Sequence, residues 1–413
     1  MPRCATPGPT GLDLRPFRAV RYDPAYVGDL SGVISPPYDD MPRAHGRAQR
    51  VRPHHIRRLL CTDDPWAARG QLHRWLSRGV LRRDEKPAIY LYEQRHAHEV
   101  LQRGLIGELR LPTDSPDSPD SPGPLLPHEA VRPHEVRRHT TLMAALGAQL
   151  EPLLVACRPT DRTLPLLIDR LVRRPPMAIG RTGRITHRLW ACTDPAEQRA
   201  LTQGLATGPA LIADGHHRHA ATLRLMTTRG GDFWNGAQAL VVDTVTHPLR
   251  LSAIHRVLPG LDPSKAAALA ADVARVRQLP EGPREPRGDE LLLTGGGSAW
   301  AVSDFDAQAL GEALTGRPAP WQELPVAVAD HLLVSRAFSV PDLPGAMRHV
   351  HTTERAIAET AAPDSGVTLL LPAMSESTVW ELASHGVLLP RKSTAFAPKP
   401  AAGFALRVSG GSP

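Results

Sequence analysis

The stretch "PALIADGHHRHAATLRLM", residues 209–226, does most to limit what this chain can become. "ALIAD" is an apolar run of strand length, and "HRHAATLRLM" switches to helical spacing, with Ala220, Leu223 and Met226 on one predicted face. Asp214 and Gly215 form the turn between them, and Gly215 permits a tight backbone path. The turn packs one acid, one arginine and three histidines into Asp214–His219. Helix starts leave backbone N–H groups without intrahelical partners, so with Arg218 this one makes an anion site. The expected chemistry is phosphate binding, with Asp214 as metal ligand or base. A helix cap accounts for Asp214 but not for two histidines and an arginine beside it. Zinc is not expected: adjacent histidines on a helix point apart, and no i, i+4 pair is present.

The remaining pattern mixes strands and helices, so the expected class is mixed α/β (α+β): a mixed sheet with flanking helices and a smaller C-terminal α/β part. At 413 residues the chain exceeds one ordinary core. Two parts are expected, 1–260 carrying the DGHHR turn and 261–413 carrying "KSTAFAPK". "DPWAARGQLHRWLSRGVL" predicts a helix with Leu72, Trp75 and Leu76 on one face and Gly79 as its stop. "PAIYLYEQRHA" predicts a strand alternating at Ile89, Leu91 and Glu93, with "VLQRGLIGELRL" as its hairpin partner. "EPLLVACRP" predicts a buried strand, and "DPAEQRALTQGL" a helix capped by Asp194 with Pro195 at its first position. "PTDSPDSPDSPGP", 112–124, offers no apolar side chains to offset its ordering entropy and is expected to be a disordered surface loop.

Composition removes several classes. The N-terminus lacks an apolar h-region, so no signal peptide is expected. No run approaches the roughly 20 apolar residues of a membrane span, and a cytoplasmic location is expected. Cys4, Cys61, Cys157 and Cys192 form no CxxC pair, which argues against a disulfide scaffold or structural zinc. The net charge of +7 does not by itself imply nucleic acid. All but four of the 49 basic residues are arginines spread along the chain, and aromatics for base stacking make up 4%. The lysines are Lys86, Lys265, Lys392 and Lys399, and two of them fall in "KSTAFAPK". In a chain that has replaced lysine by arginine almost everywhere, those two carry information. Lys392, Ser393 and Thr394 offer an ammonium and two hydroxyls suited to phosphate or Mg²⁺–phosphate contacts, although the Gly-rich lead-in of a P-loop is missing. "LLPHE" offers His128 and Glu129 before a helix, and "SPPYDD" offers Tyr38 and Asp39.

Taken in order, "PFRAVRYDPAYVGDLSGVISPPYD", "PAIYLYEQ", "RGLIGELRL", "LLPHE", "LIADGHHRHAA", "AIHRVL" and "LPRKSTAFAPKPAAGF" resemble a family of bacterial and archaeal proteins known only as a domain of unknown function. The DGHHR turn is also similar to a box in free-serine kinases of the partition-protein/sulfiredoxin-like fold. This chain departs from the family at His219, Ala395 and Ala397, where aromatics are usual, and in "EVRRHTTL", where a Lys–Asp–Arg cluster is usual. The resemblance implies a nucleotide-dependent phosphotransferase acting on a serine-like hydroxylated metabolite, with ATP or ADP and Mg²⁺. The residues expected to carry catalysis are Asp214, His216, His217, Glu129 and Lys392, and those expected to bind phosphate or nucleotide are Gly215, Arg218, Ser393, Thr394, Lys399, His128 and Arg256. Tyr38 and Asp39 would bind substrate, and Asp214 a metal ion. A phosphatase acting on a compound such as phosphoserine uses the same residues, and a non-enzymatic nucleotide-binding or DNA-associated module is a third reading. The expected partners are a small molecule and a nucleotide, without membrane or nucleic acid; the sequence does not give the oligomeric state.

Overall fold

The computed structural model describes residues 11–37, 52–112, 124–160, 163–205, 208–343 and 345–410. Tyr38, Asp39 and residues 113–123 of the Asp-Ser-Pro insert lie outside the described residues. The protein is an α+β chain that divides into two compact units. The first comprises residues 1–249, 383–386 and 398–413, and the second 250–382 and 387–397.

The first unit is built on a nine-stranded mixed sheet. Its strands are β1 Leu14–Arg15, β2 Ile89–His96, β3 Glu99–Arg110, β4 Leu125–Leu126, β5 Leu153–Cys157, β6 Ala178–Thr182, β7 Ile185–Cys192, β8 Ala210–Asp214 and β9 Gly236–Asp243. The order is β4-β8-β5-β9-β3-β2-β7-β6, with β1 beside β3. Only β4–β8 and β5–β9 run parallel. The helices used below are α1 Pro65–Ser77, α2 Pro133–Leu146, α3 Thr163–Val172, α4 Pro195–Gln203 and α5 His216–Arg229. Asp64 and Asp194 cap α1 and α4 by accepting backbone N–H groups of the first turn, each ahead of a proline that needs no partner there.

The two sheet faces differ. One carries Ile89, Leu91, Leu105, Leu153, Val155, Ala210, Ile212 and Val241 into the main apolar core, with Leu164 and Ile168 of α3. The other carries Tyr90, Tyr92, Gln94, Gln102 and Gln238, and it is buried as well. Alternation therefore marks one face of β2 without exposing the other, because residues 398–408 run across it. α5 is likewise enclosed on two sides. Leu223 and Met226 pack on the main core, while Ala221 and Leu225 join Val136 and Met143 of α2.

The second unit contains a six-stranded, wholly antiparallel sheet. Its strands are β10 His255–Leu258, β11 Arg275–Gln278, β12 Leu291–Gly295, β13 Ser298–Ser303, β14 Arg348–Val350 and β15 Val367–Leu370, in the order β11-β13-β12-β15-β10-β14. Arg250–Ser252 and Ala395–Ala397 form a separate ribbon. A π-helical stretch, Val328–Ala337, supplies Asp330 to the fully buried Arg256. Among the described residues, no helix is long and apolar enough to cross a membrane.

Candidate functional site: a strand-to-helix charge cluster

The site forms where β8 hands over to α5. β8 pairs antiparallel with β5, and the register shifts between Ile212 and Asp214, so that Ala213 is an extra residue. Side chains alternate along a strand, and one inserted residue inverts that alternation. Asp214 consequently sits opposite Leu154 rather than continuing the core row of Ala210 and Ile212. The bulge turns its carboxylate to the face crossed by the C-terminal segment.

Gly215 follows with φ 101° and ψ 23° and is the N-cap residue of α5. A Cβ there would lie 2.8 Å from Leu153 Cδ2 and 3.0 Å from Arg218 Nη2, so glycine is required by both conformation and space. Asp214 is not the helix cap; its oxygens take two cations. Lys399 Nζ lies 2.7 Å from Oδ1, and Arg218 Nη2 donates to Oδ2 at 2.9 Å. Arg218 Nη1 also pairs with Glu151 at 3.1 Å. All four groups are partly exposed, their side chains retaining 12–26% of their accessible surface. Two cations and two carboxylates thus meet at a helix N-terminus that water can reach.

The histidines are placed differently from one another. His216 Nε2 accepts the backbone N–H of His128 at 3.3 Å, and His217 Nε2 accepts that of Arg132 at 3.0 Å. The two rings therefore clamp both ends of the 128–132 segment, which holds Glu129. The His128 ring meets His216 edge-on, with centroids 4.5 Å apart. Burial pushes His128 and His219 down to about 4. Burial, followed by the Arg218 charge, pushes His139 to about 3. These rings are neutral near pH 7 and can accept hydrogen bonds. A cavity of about 40 Å³ opens beside the cluster, lined by Leu142, Met143, Leu146 and Leu153 together with Glu151 and Arg218.

Arg256, Lys392, Ser393 and Thr394 lie in the second unit. Arg256 is 0% exposed; it donates to both Asp330 oxygens, at 2.7 and 2.8 Å, and to the carbonyls of Ile254 and Lys392. Lys392 occupies a left-handed turn at φ 57°. The buried Ser393 hydroxyl donates to the carbonyl of Pro390, and Thr394 precedes the 395–397 strand. Glu151 and His139 carry no motif that would single them out in the sequence. Among the described residues, no group of three or more His, Cys, Asp or Glu side chains is placed to hold a metal ion.

Fold and site together define an α+β protein with a charged strand-to-helix turn after the strand next to one edge of a mixed sheet. The chain belongs to the family whose model is described as "Protein of unknown function (DUF1015)", matched over residues 14–327. No curated protein matches it. Among solved structures it is similar to a free serine kinase in complex with AMP, at 16% identity, 66% coverage of this chain, 83% of that chain and a TM-score of 0.38. It is also similar to a conserved hypothetical protein from Pyrococcus furiosus (16%, 69%, 91%, 0.38) and to C-terminally truncated SbnI from Staphylococcus aureus (12%, 66%, 79%, 0.35). Superpositions this loose transfer neither activity nor residue roles.

Proposed function

We propose that the protein is a nucleotide-dependent phosphotransferase acting on a small hydroxylated, serine-like metabolite, with its phosphate niche at Asp214, Arg218 and Lys399. The observation that carries this reading is the convergence of Lys399 and Arg218 on one partly exposed carboxylate at a helix start. Charge-assisted bonds to phosphate oxygens are strong enough to compete with that pairing. An entering phosphoryl group takes the cations and the helix N–H groups and releases Asp214 to act as a base or to contact a metal ion. Asp214 would hold Mg²⁺ together with the nucleotide's phosphate oxygens, since this ion is typically bound by one or two carboxylates plus phosphates. Glu129, on the clamped segment, is the second candidate base. His216 and His217 act through that segment instead of moving protons. Phosphoryl transfer needs mainly positioning and charge stabilisation, which such a cluster supplies.

The test is to incubate the protein with Mg²⁺ and ATP, ADP or CTP, alone and with serine, and to follow ³¹P NMR. Serine-dependent growth of a phosphomonoester signal supports the reading. Phosphate release without serine points to hydrolysis, and an unchanged spectrum with every nucleotide contradicts transfer to serine.

A further inference from the structure

The second face of the sheet is polar where a face buried this deeply would ordinarily be apolar. Gln94 and Gln102 are opposite one another on β2 and β3, at 3% and 0% exposure. Gln94 Nε2 donates to Gln102 Oε1 at 2.9 Å and to the carbonyl of Lys399 at 3.0 Å. Gln102 Nε2 donates to the carbonyl of Pro398 at 2.7 Å. Two residues earlier on β2, the Tyr92 hydroxyl accepts the N–H of Ala401 at 2.9 Å and faces Nδ1 of His187, on the adjacent β7, at 2.8 Å. The other ring nitrogen of His187 meets Thr182 Oγ1 at 2.6 Å. Because the Tyr92 oxygen accepts from Ala401, its proton is directed to His187, which burial holds neutral at about 4.

These groups hold a segment, Pro398-Lys399-Pro400, whose prolines fix φ on either side of the lysine and keep Lys399 out of the helical region. Two consecutive carbonyls, those of Pro398 and Lys399, are bound by two amides from a rigid hairpin. The root of the Lys399 side chain is therefore fixed on three counts, and its ammonium reaches Asp214. Holding a flexible lysine ready lowers the ordering cost of each contact it makes.

We propose that Gln94 and Gln102 are positioning residues that set Lys399 in the phosphate niche. This rests on the function proposed above. The test uses protein labelled with [ε-¹³C]lysine, which gives one ε-methylene signal for each of the four lysines. Lys399→Arg assigns the signal of interest. Gln94→Leu and Gln102→Leu remove the amides, and Gln94→Asn is a milder variant that shortens the arm by one methylene. Gln238→Leu is the control, since Gln238 on the same face holds the carbonyl of Ala405, further along the segment.

In the ligand-free protein, the Lys399 signal is expected to move toward those of the exposed Lys86 and Lys265 in the Gln94 and Gln102 variants, and to stay in place in Gln238→Leu. Affinity for inorganic pyrophosphate, read from the same signal, should fall roughly 10-fold in the first set. A Lys399 signal that stays put in every variant overturns the proposal, as does one that moves equally in Gln238→Leu, which would reveal general loosening. If pyrophosphate shifts no lysine signal in the unsubstituted protein, the phosphate reading fails by itself, and the ligand-free comparison still decides whether the glutamines position Lys399.

Discussion

Arg218 and Arg256 are both held by carboxylates, yet their surroundings predict opposite consequences of removal. Arg256 is wholly buried, and its donors satisfy Asp330 and two backbone carbonyls. Arg256→Ala should lower stability by about 2–5 kcal/mol, because it empties the site of a fully buried side chain and removes the donor of two backbone carbonyls and of Asp330, whose side chain keeps 20% of its surface; thermal unfolding measures this. Arg218 is partly exposed at the helix start, and Lys399 still faces Asp214 when it is gone. Arg218→Ala should change the melting temperature little and weaken MgADP binding by roughly 10- to 100-fold, as expected for one charge-assisted contact. Unchanged affinity in a folded Arg218→Ala protein would reduce the turn to a surface ion-pair cluster.

At the scale of elements, the site depends on a bulge, a left-handed glycine and a clamp. Gly215→Ala forces a Cβ against Leu153 at φ 101° and should cost about 1–3 kcal/mol of backbone strain in addition to the collision, read from urea unfolding. His217→Leu loses the acceptor for Arg132 N–H while keeping bulk, whereas His217→Gln can restore it. If His217 only holds the Glu129 segment, Gln should recover most turnover; a Gln variant as inactive as Leu would mean that the imidazole itself takes part. The strand-to-helix switch was legible because apolar spacing changes from a short run to period 3.6 at Gly215. The inversion of Asp214 was not, because register depends on β5 and an inserted residue such as Ala213 looks like any other alanine. Lys399 stood out through the rarity of lysine, but its partner, remote in sequence, could not be read. The antiparallel sheet of the second unit was largely hidden: Arg275–Gln278 carries little apolar contrast, and its neighbours lie among Ala-, Pro- and Gly-rich stretches.

At the scale of the whole molecule, the buried neutral histidines make a prediction about pH. His128 and His187, each 1% exposed, titrate near 4 in the folded protein against 6.5 for an ordinary histidine. Between those values the unfolded chain binds more protons than the folded one, so stability is complete above about pH 6.5 and falls as pH drops toward 4. Each ring contributes on the order of 3 kcal/mol to that loss. Urea midpoints at pH 7, 6 and 5 should decline in sequence, and a flat series would contradict the burial of neutral rings. The central claim concerns which lysine faces phosphate, and calorimetric titration of MgADP into the unsubstituted protein, Lys399→Met and Lys392→Met tests it most directly. The account predicts that Lys399→Met weakens binding at least roughly 10-fold and that Lys392→Met binds like the parent protein. Equal affinity in all three proteins, or a loss confined to Lys392→Met, would contradict it.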